Sequence, residues 1–243
     1  MAKGIPESVK THLSYMPQRF GLYDDLTVDE NIRFYADLFE IPRALREERT
    51  LPLLEASNMI PFRRRLAGQL SGGMKQKLGL VCSLVHTPKI LLLDEPTTGV
   101  DPVSRRDFWR ILYDLRESGV TILISTAYLD EAERCTRLAL LHQGRLRYCD
   151  TPQALKARIP GVLLVIPSGS ARAARDAISG LAGVLSVLLV GDGVHAVVDD
   201  YDKRLPEIRR ALEAKRIPFG PVTQAVPSIE DLFVGLLKQQ EPA

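Results

Sequence analysis

The sequence is poor in cysteine, and its cysteines form no metal-binding or cross-linking pattern. Its 243 residues contain three, and Cys82, Cys135 and Cys149 show no Cys-x-x-Cys spacing. An odd number of widely spaced thiols is typical of reduced, mostly buried side chains and argues against a zinc site or a disulfide framework. Residues that carry chemistry are therefore expected among the other amino-acid types.

Long apolar runs and a strong net charge are also missing. No stretch approaches the roughly 18 apolar residues that span a bilayer, and the opening residues lack the apolar segment of a signal peptide. The net charge of +2 at pH 7 is too small to favour nucleic acid or anionic lipid as a partner. With 45% hydrophobic and 26% charged residues, the composition predicts a globular chain with a sizeable core, which we expect to be cytoplasmic.

Strand and helix patterns alternate from residue 11 to residue 125. A Thr-x-x-Glu capping box at Thr27 opens one helix, and Pro102 is a natural first-turn residue for another. The apolar runs 89–94 and 120–125 are typical of strands covered on both faces, and a further strand is expected over 11–17. This alternation predicts an α/β fold with a parallel sheet and helices on its faces.

The pattern changes at Pro160-Gly161, which we interpret as a linker. Residues 162–226 predict the order strand, helix, strand, strand, helix, strand, followed by a helix over 228–238. This is the order of a small α+β, ferredoxin-like domain. We therefore predict two domains, residues 1–159 and residues 160–243. The second shows no catalytic constellation and is interpreted as an accessory docking or regulatory module.

Ser71, Gly72 and Gly73 stand at the start of a predicted helix. A hydroxyl and two residues without side chains present backbone N–H groups and the positive end of the helix dipole to an anion. The same residues are also consistent with an ordinary serine N-cap that follows a turn. Taken alone, the motif leaves both interpretations open.

Two acids and an amide follow predicted strands. Asp94 closes the apolar run 89–94 and precedes Glu95, while Gln18 follows the strand over 11–17. A carboxylate in such a position can hold Mg²⁺ through water, and its neighbour can polarise a water for attack on a phosphoryl group. The glutamine amide can bind the metal or the attacking water. The alternative is a loop in which the two acids are merely solvated.

Together these residues resemble the nucleotide-binding domain of ABC transporters. Leu70-Ser71-Gly72-Gly73 matches the signature motif of that family, and Ile90 to Glu95 matches its Walker B strand and catalytic glutamate. Gly99-Val100-Asp101 matches its D-loop, and Tyr15-Met16-Pro17-Gln18 matches the Q-loop of bacterial drug-exporter ATPases. The resemblance implies a P-loop NTPase-type ABC domain, partial in this chain, with a helical signature subdomain. Residues 161–240 resemble the C-terminal extension of the exporter branch.

The resemblance also implies roles and partners. In this family Glu95 would be the catalytic residue that activates water, and Asp94 and Gln18 would hold Mg²⁺. The residues implied in ATP binding are Gln18, Ser71, Gly72, Gly73, Asp94 and Asp101. Of these, Ser71 and Gly73 would contact the γ-phosphate of ATP held by a second nucleotide-binding domain. The implied partners are that domain and membrane-spanning exporter subunits, which would hold the chain at the inner face of the cell membrane.

Two departures from the family pattern bear on activity. The family places a switch histidine at position 127, where this chain has Ala127. A Walker A loop needs Gly-x-x-x-x-Gly-Lys-Ser/Thr, and the 243 residues contain no Gly-Lys dipeptide. We therefore expect the N-terminal part of the domain to be absent, through a truncated gene, a mis-assigned start or a natural fragment. The isolated chain is expected to be inactive.

The sequence thus predicts the ATP-binding component of an ABC-type multidrug exporter, which couples ATP hydrolysis to transport by separate membrane subunits. A non-catalytic partner or regulatory subunit that lends its signature motif to a competent ATPase is the alternative, favoured by Ala127. A soluble ABC-class factor acting on ribosomes or DNA would be expected to carry tandem domains, basic arms or coiled-coil insertions, which the sequence does not show.

Overall fold

The computed structural model describes residues 9, 11–191 and 193–238. The chain divides into two compact units, Met1–Ala127 and Tyr128–Ala243, and each is described by itself. The predicted boundary between residues 159 and 160 stays a prediction. Within the described ranges, no helix combines the length and apolar character needed to cross a membrane.

The described residues of the first unit form three strands and four helices. In chain order these are β1 (Leu13–Met16), α1 (Val28–Leu38), α2 (Arg43–Ala56), α3 (Gly72–Leu84), β2 (Ile90–Asp94), α4 (Pro102–Glu117) and β3 (Thr121–Ser125), with 3₁₀ turns at Ile60–Phe62 and Ala67–Gln69. Side-chain caps explain three of these helix starts, because the predicted capping box at Thr27 forms and Ser71 and Asp101 cap α3 and α4. Helix α2 instead follows Pro42 and has no side-chain cap. Helices α1, α2 and α3 form an apolar cluster, which includes Val28, Leu54 and Leu78.

The three strands form the predicted parallel sheet, in the order β1-β2-β3. The register pairs Met16 with Leu93 and Asp94 with Ser125. Because the strands are parallel and in register, their carboxyl ends lie at one edge of the sheet. This edge is where ligands collect in open parallel sheets.

The two faces of this sheet are unequally buried, so the prediction of strands covered on both faces is wrong for the described residues. Met16, Leu91 and Leu93 are buried on one face, whereas Tyr15 and Leu123 on the other are 53% and 65% exposed. Connections between parallel strands are right-handed. Because β1, β2 and β3 follow one another in one direction, both connections place their helices on the same face.

The second unit begins with a short helix and an antiparallel hairpin. Its elements are α5 (Leu129–Ala132), β4 (Leu138–His142), β5 (Arg145–Asp150), α6 (Pro152–Lys156), β6 (Val162–Pro167), α7 (Ala171–Ile178), β7 (Val184–Val190), β8 (Gly193–Val198), α8 (Tyr201–Ala214), β9 (Thr223–Ala225) and α9 (Ile229–Lys238). The four-stranded antiparallel sheet has the order β7-β8-β6-β9. This confirms the predicted ferredoxin-like arrangement of strands and helices.

Helix α9 is held to the rest of the second unit by polar and apolar contacts. His195 Nδ1 on β8 lies 3.0 Å from Asp231 Oδ1, and Asp231 Oδ2 accepts hydrogen bonds from the Ser228 N–H and hydroxyl at 2.7 Å. Ile229 and Leu232 complete a second apolar cluster, whose other buried members are Ala132, Leu138, Leu140 and Leu155. Helix α9 therefore contacts both the four-stranded sheet, through His195, and the apolar cluster that includes Leu138 and Leu155.

Cysteine burial varies more than the sequence suggested. All three thiols are free, with Cys82 buried, Cys135 half-buried and Cys149 exposed. Complete burial of Cys82 raises the pKa of its thiol, because the thiolate would lose its hydration. Cys82 is therefore an inert core side chain.

Candidate functional site

The predicted Q-loop and Walker B residues meet at the carboxyl edge of the sheet. Gln18 lies two residues beyond β1, Asp94 is the last residue of β2, and Glu95 follows it. Gln18 Nε2 donates a hydrogen bond of 3.2 Å to Glu95 Oε2. Side chains 77 residues apart in the sequence are thus brought together by strand pairing.

Both oxygens of the Asp94 carboxylate accept hydrogen bonds. The Ser125 hydroxyl donates to Oδ1 at 2.6 Å, and the Tyr15 hydroxyl donates to Oδ2 at 3.3 Å. Desolvation, and the negative charge of Asp94, raise the pKa of the Tyr15 phenol. Each carboxylate oxygen keeps a second lone pair that can face a cation or a water.

Glu95 adopts a backbone conformation that is unusual for a residue with a side chain. Its φ is +43°, in the left-handed region, which costs about 1–3 kcal/mol and persists where neighbours hold it. Its N–H donates to the Ser125 carbonyl at 3.1 Å and to the Ser125 hydroxyl at 3.0 Å. Its Oε2 accepts from the Thr98 hydroxyl at 3.1 Å as well as from Gln18. These hydrogen bonds therefore fix the orientation of the Glu95 carboxylate.

The signature residues lie at the start of α3, beside the D-loop. Ser71 caps the helix, its hydroxyl accepting from the Met74 N–H at 3.3 Å. Ser71 and Gly72 are exposed, whereas Gly73 is buried. A Cβ added at Gly73 would lie 2.6 Å from Ser104 Cβ on α4. Gly73 therefore allows α3 and α4 to approach closely.

Asp101 of the D-loop is engaged as the N-cap of α4. Its Oδ1 accepts hydrogen bonds from the N–H groups of Val103 and Ser104 at 3.1 and 2.9 Å. The hydrogen bonds from Ser104, first its backbone N–H, lower the pKa of the Asp101 carboxyl. The side chain thus fixes the path of the D-loop as it enters the helix.

Helix α3 is also tied to the segment that contains Gln18. Gln76 Nε2 donates to the Gln18 carbonyl at 3.3 Å, and Lys75 Nζ lies 2.8 Å from Asp24 Oδ1. On its other side, Lys77 Nζ forms an ion pair of 2.8 Å with Asp107 on α4. The signature helix therefore contacts both the Q-loop and the helix that follows the D-loop.

The sequence-predicted residues fall into two groups. Gln18, Asp94 and Glu95 form one cluster, while Ser71, Gly72 and Gly73 lie beside the segment of Asp101. Ala127 is exposed, two residues beyond β3, and its methyl group cannot donate a hydrogen bond.

Sequence reasoning missed four contributors: Tyr15, Gln76, Thr98 and Ser125. Ser125 could have been found from strand register, because the last residues of neighbouring parallel strands face each other.

The donors present fit Mg²⁺ with a nucleotide phosphate. Mg²⁺ binds oxygen and is usually held by one or two carboxylates, its own waters and substrate phosphates. Asp94 supplies a carboxylate with free lone pairs, and the amide oxygen of Gln18 is available because its nitrogen is directed at Glu95. The N–H groups at the start of α3 are of the kind that can donate to a phosphate.

Comparisons with known proteins agree with these motifs. A family model described as ABC transporter matches residues 2–98. The chain is 43% identical over 227 residues to the probable multidrug ABC transporter ATP-binding protein YbhF of Escherichia coli (strain K12), covering 93% of this chain and 39% of that relative. It is 31% identical over 243 residues to the daunorubicin resistance ATP-binding protein DrrA2 of Streptomyces coeruleorubidus, covering 95% of this chain and 73% of that relative. The chain thus spans well under half the length of YbhF.

A solved structure of the ATP-binding subunit of an ABC transporter shares the fold. It superposes with a TM-score of 0.56 at 30% sequence identity, over 63% of this chain and 64% of that one.

Proposed function

Because the chain belongs to the family of ABC transporter ATP-binding proteins, we propose that it is the ATP-binding and ATP-hydrolysing component of an exporter. It couples ATP hydrolysis to transport by separate membrane-spanning subunits. Its relatives include a probable multidrug transporter protein and a daunorubicin resistance protein, which favours drugs or other hydrophobic compounds as the cargo.

The cluster of Gln18, Asp94 and Glu95 carries this proposal. Asp94 and Gln18 hold Mg²⁺, which when bound neutralises charge on the phosphate oxygens. Glu95 accepts a hydrogen bond from the attacking water, and its fixed carboxylate keeps that water in line. Gln18 keeps Glu95 oriented through the 3.2 Å bond to Oε2.

The signature residues serve a second nucleotide-binding domain. Ser71 and Gly72 at the start of α3 are exposed, and the positive end of the helix dipole favours a phosphate there. Ser71 and Gly73 contact the γ-phosphate of ATP held by the partner domain, and Asp101 sets the path of the adjacent D-loop. Membrane subunits hold the assembly at the inner face of the cell membrane, and residues 160–243 act as an accessory domain.

The test is ATP turnover by the chain assembled with its membrane subunits and a complete phosphate-binding loop. Glu95→Gln is expected to lower kcat by at least about 10²-fold, because general-base catalysis contributes about 10²–10⁴-fold, while ATP binding stays near the parent value. Glu117→Gln, an exposed glutamate at the end of α4, is the matched control. Unchanged turnover in Glu95→Gln would refute the proposed role.

A second candidate is a non-catalytic subunit that lends its signature motif to a competent ATPase. It is favoured by Ala127, whose methyl group cannot donate a hydrogen bond to a phosphate. In this case the chain would stimulate a complete partner ATPase, Ser71→Arg would abolish the stimulation, and Glu95→Gln would leave it unchanged. The response to Glu95→Gln therefore separates the two candidates.

A further inference from the structure

The hydroxyl of Ser125 touches both acidic residues of the site. Ser125 is the last residue of β3, and the register places it opposite Asp94, the last residue of β2. Its Oγ lies 2.6 Å from Asp94 Oδ1 and 3.0 Å from the Glu95 nitrogen. A single side chain from the neighbouring strand thus bridges the carboxylate of one residue and the backbone of the next.

The chemistry of these groups fixes the direction of both hydrogen bonds. The Glu95 N–H can only donate, so the Ser125 oxygen must accept from it. An ionised Asp94 carboxylate can only accept, so the one hydroxyl proton of Ser125 is directed to Oδ1. Hydrogen bonds to charged groups are stronger than neutral ones. The bridge therefore has one arrangement of its protons, in which the Glu95 N–H and the Ser125 hydroxyl each donate.

From this geometry we propose that Ser125 is a positioning residue that holds Asp94 and Glu95 in their working orientation. This inference rests on the proposed function and adds a residue that acts through the two acids. Glu95 has a positive φ, which must be held by its surroundings. Two atoms of Ser125 hold the Glu95 N–H, and the hydroxyl also fixes the rotation of the Asp94 carboxylate, which sets the direction of its free lone pairs.

Three variants test the role of the hydroxyl. Ser125→Ala removes it, Ser125→Thr keeps it on a β-branched side chain suited to a strand, and Ser125→Cys keeps the size with a weak donor. Thr121→Ala removes a hydroxyl from the first residue of the same strand, which is also exposed, and is the matched control. Fluorescence of Trp109, the one tryptophan of the sequence, verifies that each variant is folded.

The first readout requires no nucleotide. Hydrogen exchange of the Glu95 amide in the unliganded chain is expected to accelerate by about three- to tenfold in Ser125→Ala, since one of its two acceptors is lost. Ser125→Thr and Thr121→Ala should exchange as the parent does. If alanine impairs folding, Ser125→Cys is expected to show the same acceleration. Parent-like exchange in the alanine or cysteine variant would overturn the proposal.

The second readout is the metal requirement of the assembled complex. Partners that orient a ligand typically contribute 10–100-fold to metal affinity or activity, so the Mg²⁺ concentration for half-maximal ATP binding should rise about tenfold in Ser125→Ala and recover in Ser125→Thr. An unchanged requirement, or a threonine variant as impaired as alanine, would contradict the positioning role. An inactive parent complex would refute the proposed ATPase, whereas the exchange of the Glu95 amide still decides the role of Ser125.

Discussion

Replacing Gly73 by alanine is expected to destabilise the first unit, although alanine is the better helix former. The new Cβ would lie 2.6 Å from Cβ and Oγ of Ser104 and 3.2 Å from Cγ1 of Val100. Overpacking of this kind costs about 1–3 kcal/mol, and the gain in helix propensity offsets up to about 1 kcal/mol. At Gly72 the nearest atom to such a Cβ is 3.8 Å away, so Gly72→Ala should be neutral or slightly stabilising.

The assay is urea unfolding of each variant, followed by the fluorescence of Trp109 in α4. The expected separation of about 2 kcal/mol between the two alanine variants corresponds to a midpoint difference on the order of 1 M urea. Adding Ser104→Gly to Gly73→Ala should recover much of the loss, because it removes the atoms that collide, whereas Ser104→Ala should not. Equal midpoints for Gly72→Ala and Gly73→Ala would refute the close-approach argument.

Three further predictions concern charge and catalysis. Asp107→Asn should cost about 3 kcal/mol of unfolding free energy, because the Lys77 side chain, which is 9% exposed, would keep an unpaired charge. Lys77→Met should cost less, because the Asp107 side chain that it leaves unpaired is 23% exposed. Burial lowers the pKa of His86 below its ordinary 6.5, so the unfolded chain takes up the proton first and stability falls as the pH drops below about 6.5. His86→Phe should flatten that dependence. In the assembled complex Ala127→His should raise kcat by up to about 10²-fold, and Glu95→Gln should abolish the gain.

Each of these has a contrary outcome that can be recognised. If Asp107→Asn and Lys77→Met lower the unfolding free energy in urea equally, the two charges are equally costly to leave unpaired. If the unfolding free energy of His86→Phe depends on pH between 5 and 7 as strongly as that of the parent, other groups cause that dependence. If the parent complex already hydrolyses ATP rapidly and Ala127→His does not raise its kcat, another group has replaced the switch histidine.

The sequence predicted most elements because local and tertiary preferences agree. Neighbouring residues are enough to specify several helices and strands. Examples are the helix that the capping box at Thr27 begins, the helix that Ser71 caps and the strand whose apolar run ends at Asp94. Pro52 shows the limit of such reasoning, because its missing N–H suggests a break, yet α2 continues through it from Arg43 to Ala56. There the buried side chains of Thr50 and Leu54 lie on either side of the proline, and packing outweighs the lost hydrogen bond.

The candidate site was predicted less completely, for a geometric reason. Gln18, Asp94 and Glu95 could be placed at one edge because parallel strands end together. Strand register could place Ser125 opposite Asp94. The hydrogen bonds of Ser125 and Thr98, however, depend on side-chain rotation and on the positive φ of Glu95, which no sequence pattern reports. The one-sided burial of the sheet was likewise hidden, because Leu123 is as apolar as the side chains that are buried.

The packing of α9 has a consequence for the order of events during synthesis. Ile229 and Leu232 complete the apolar cluster around Leu138 and Leu155, yet the ribosome adds them more than seventy residues after Leu155. At a typical elongation rate of about 5–20 residues per second, the apolar side of the hairpin of β4 and β5 stays exposed for several seconds. The ferredoxin-like strands emerge within that interval. Their early folding would present strand β7, which α9 contacts, so the apolar side of the hairpin is covered only once α9 has left the ribosome.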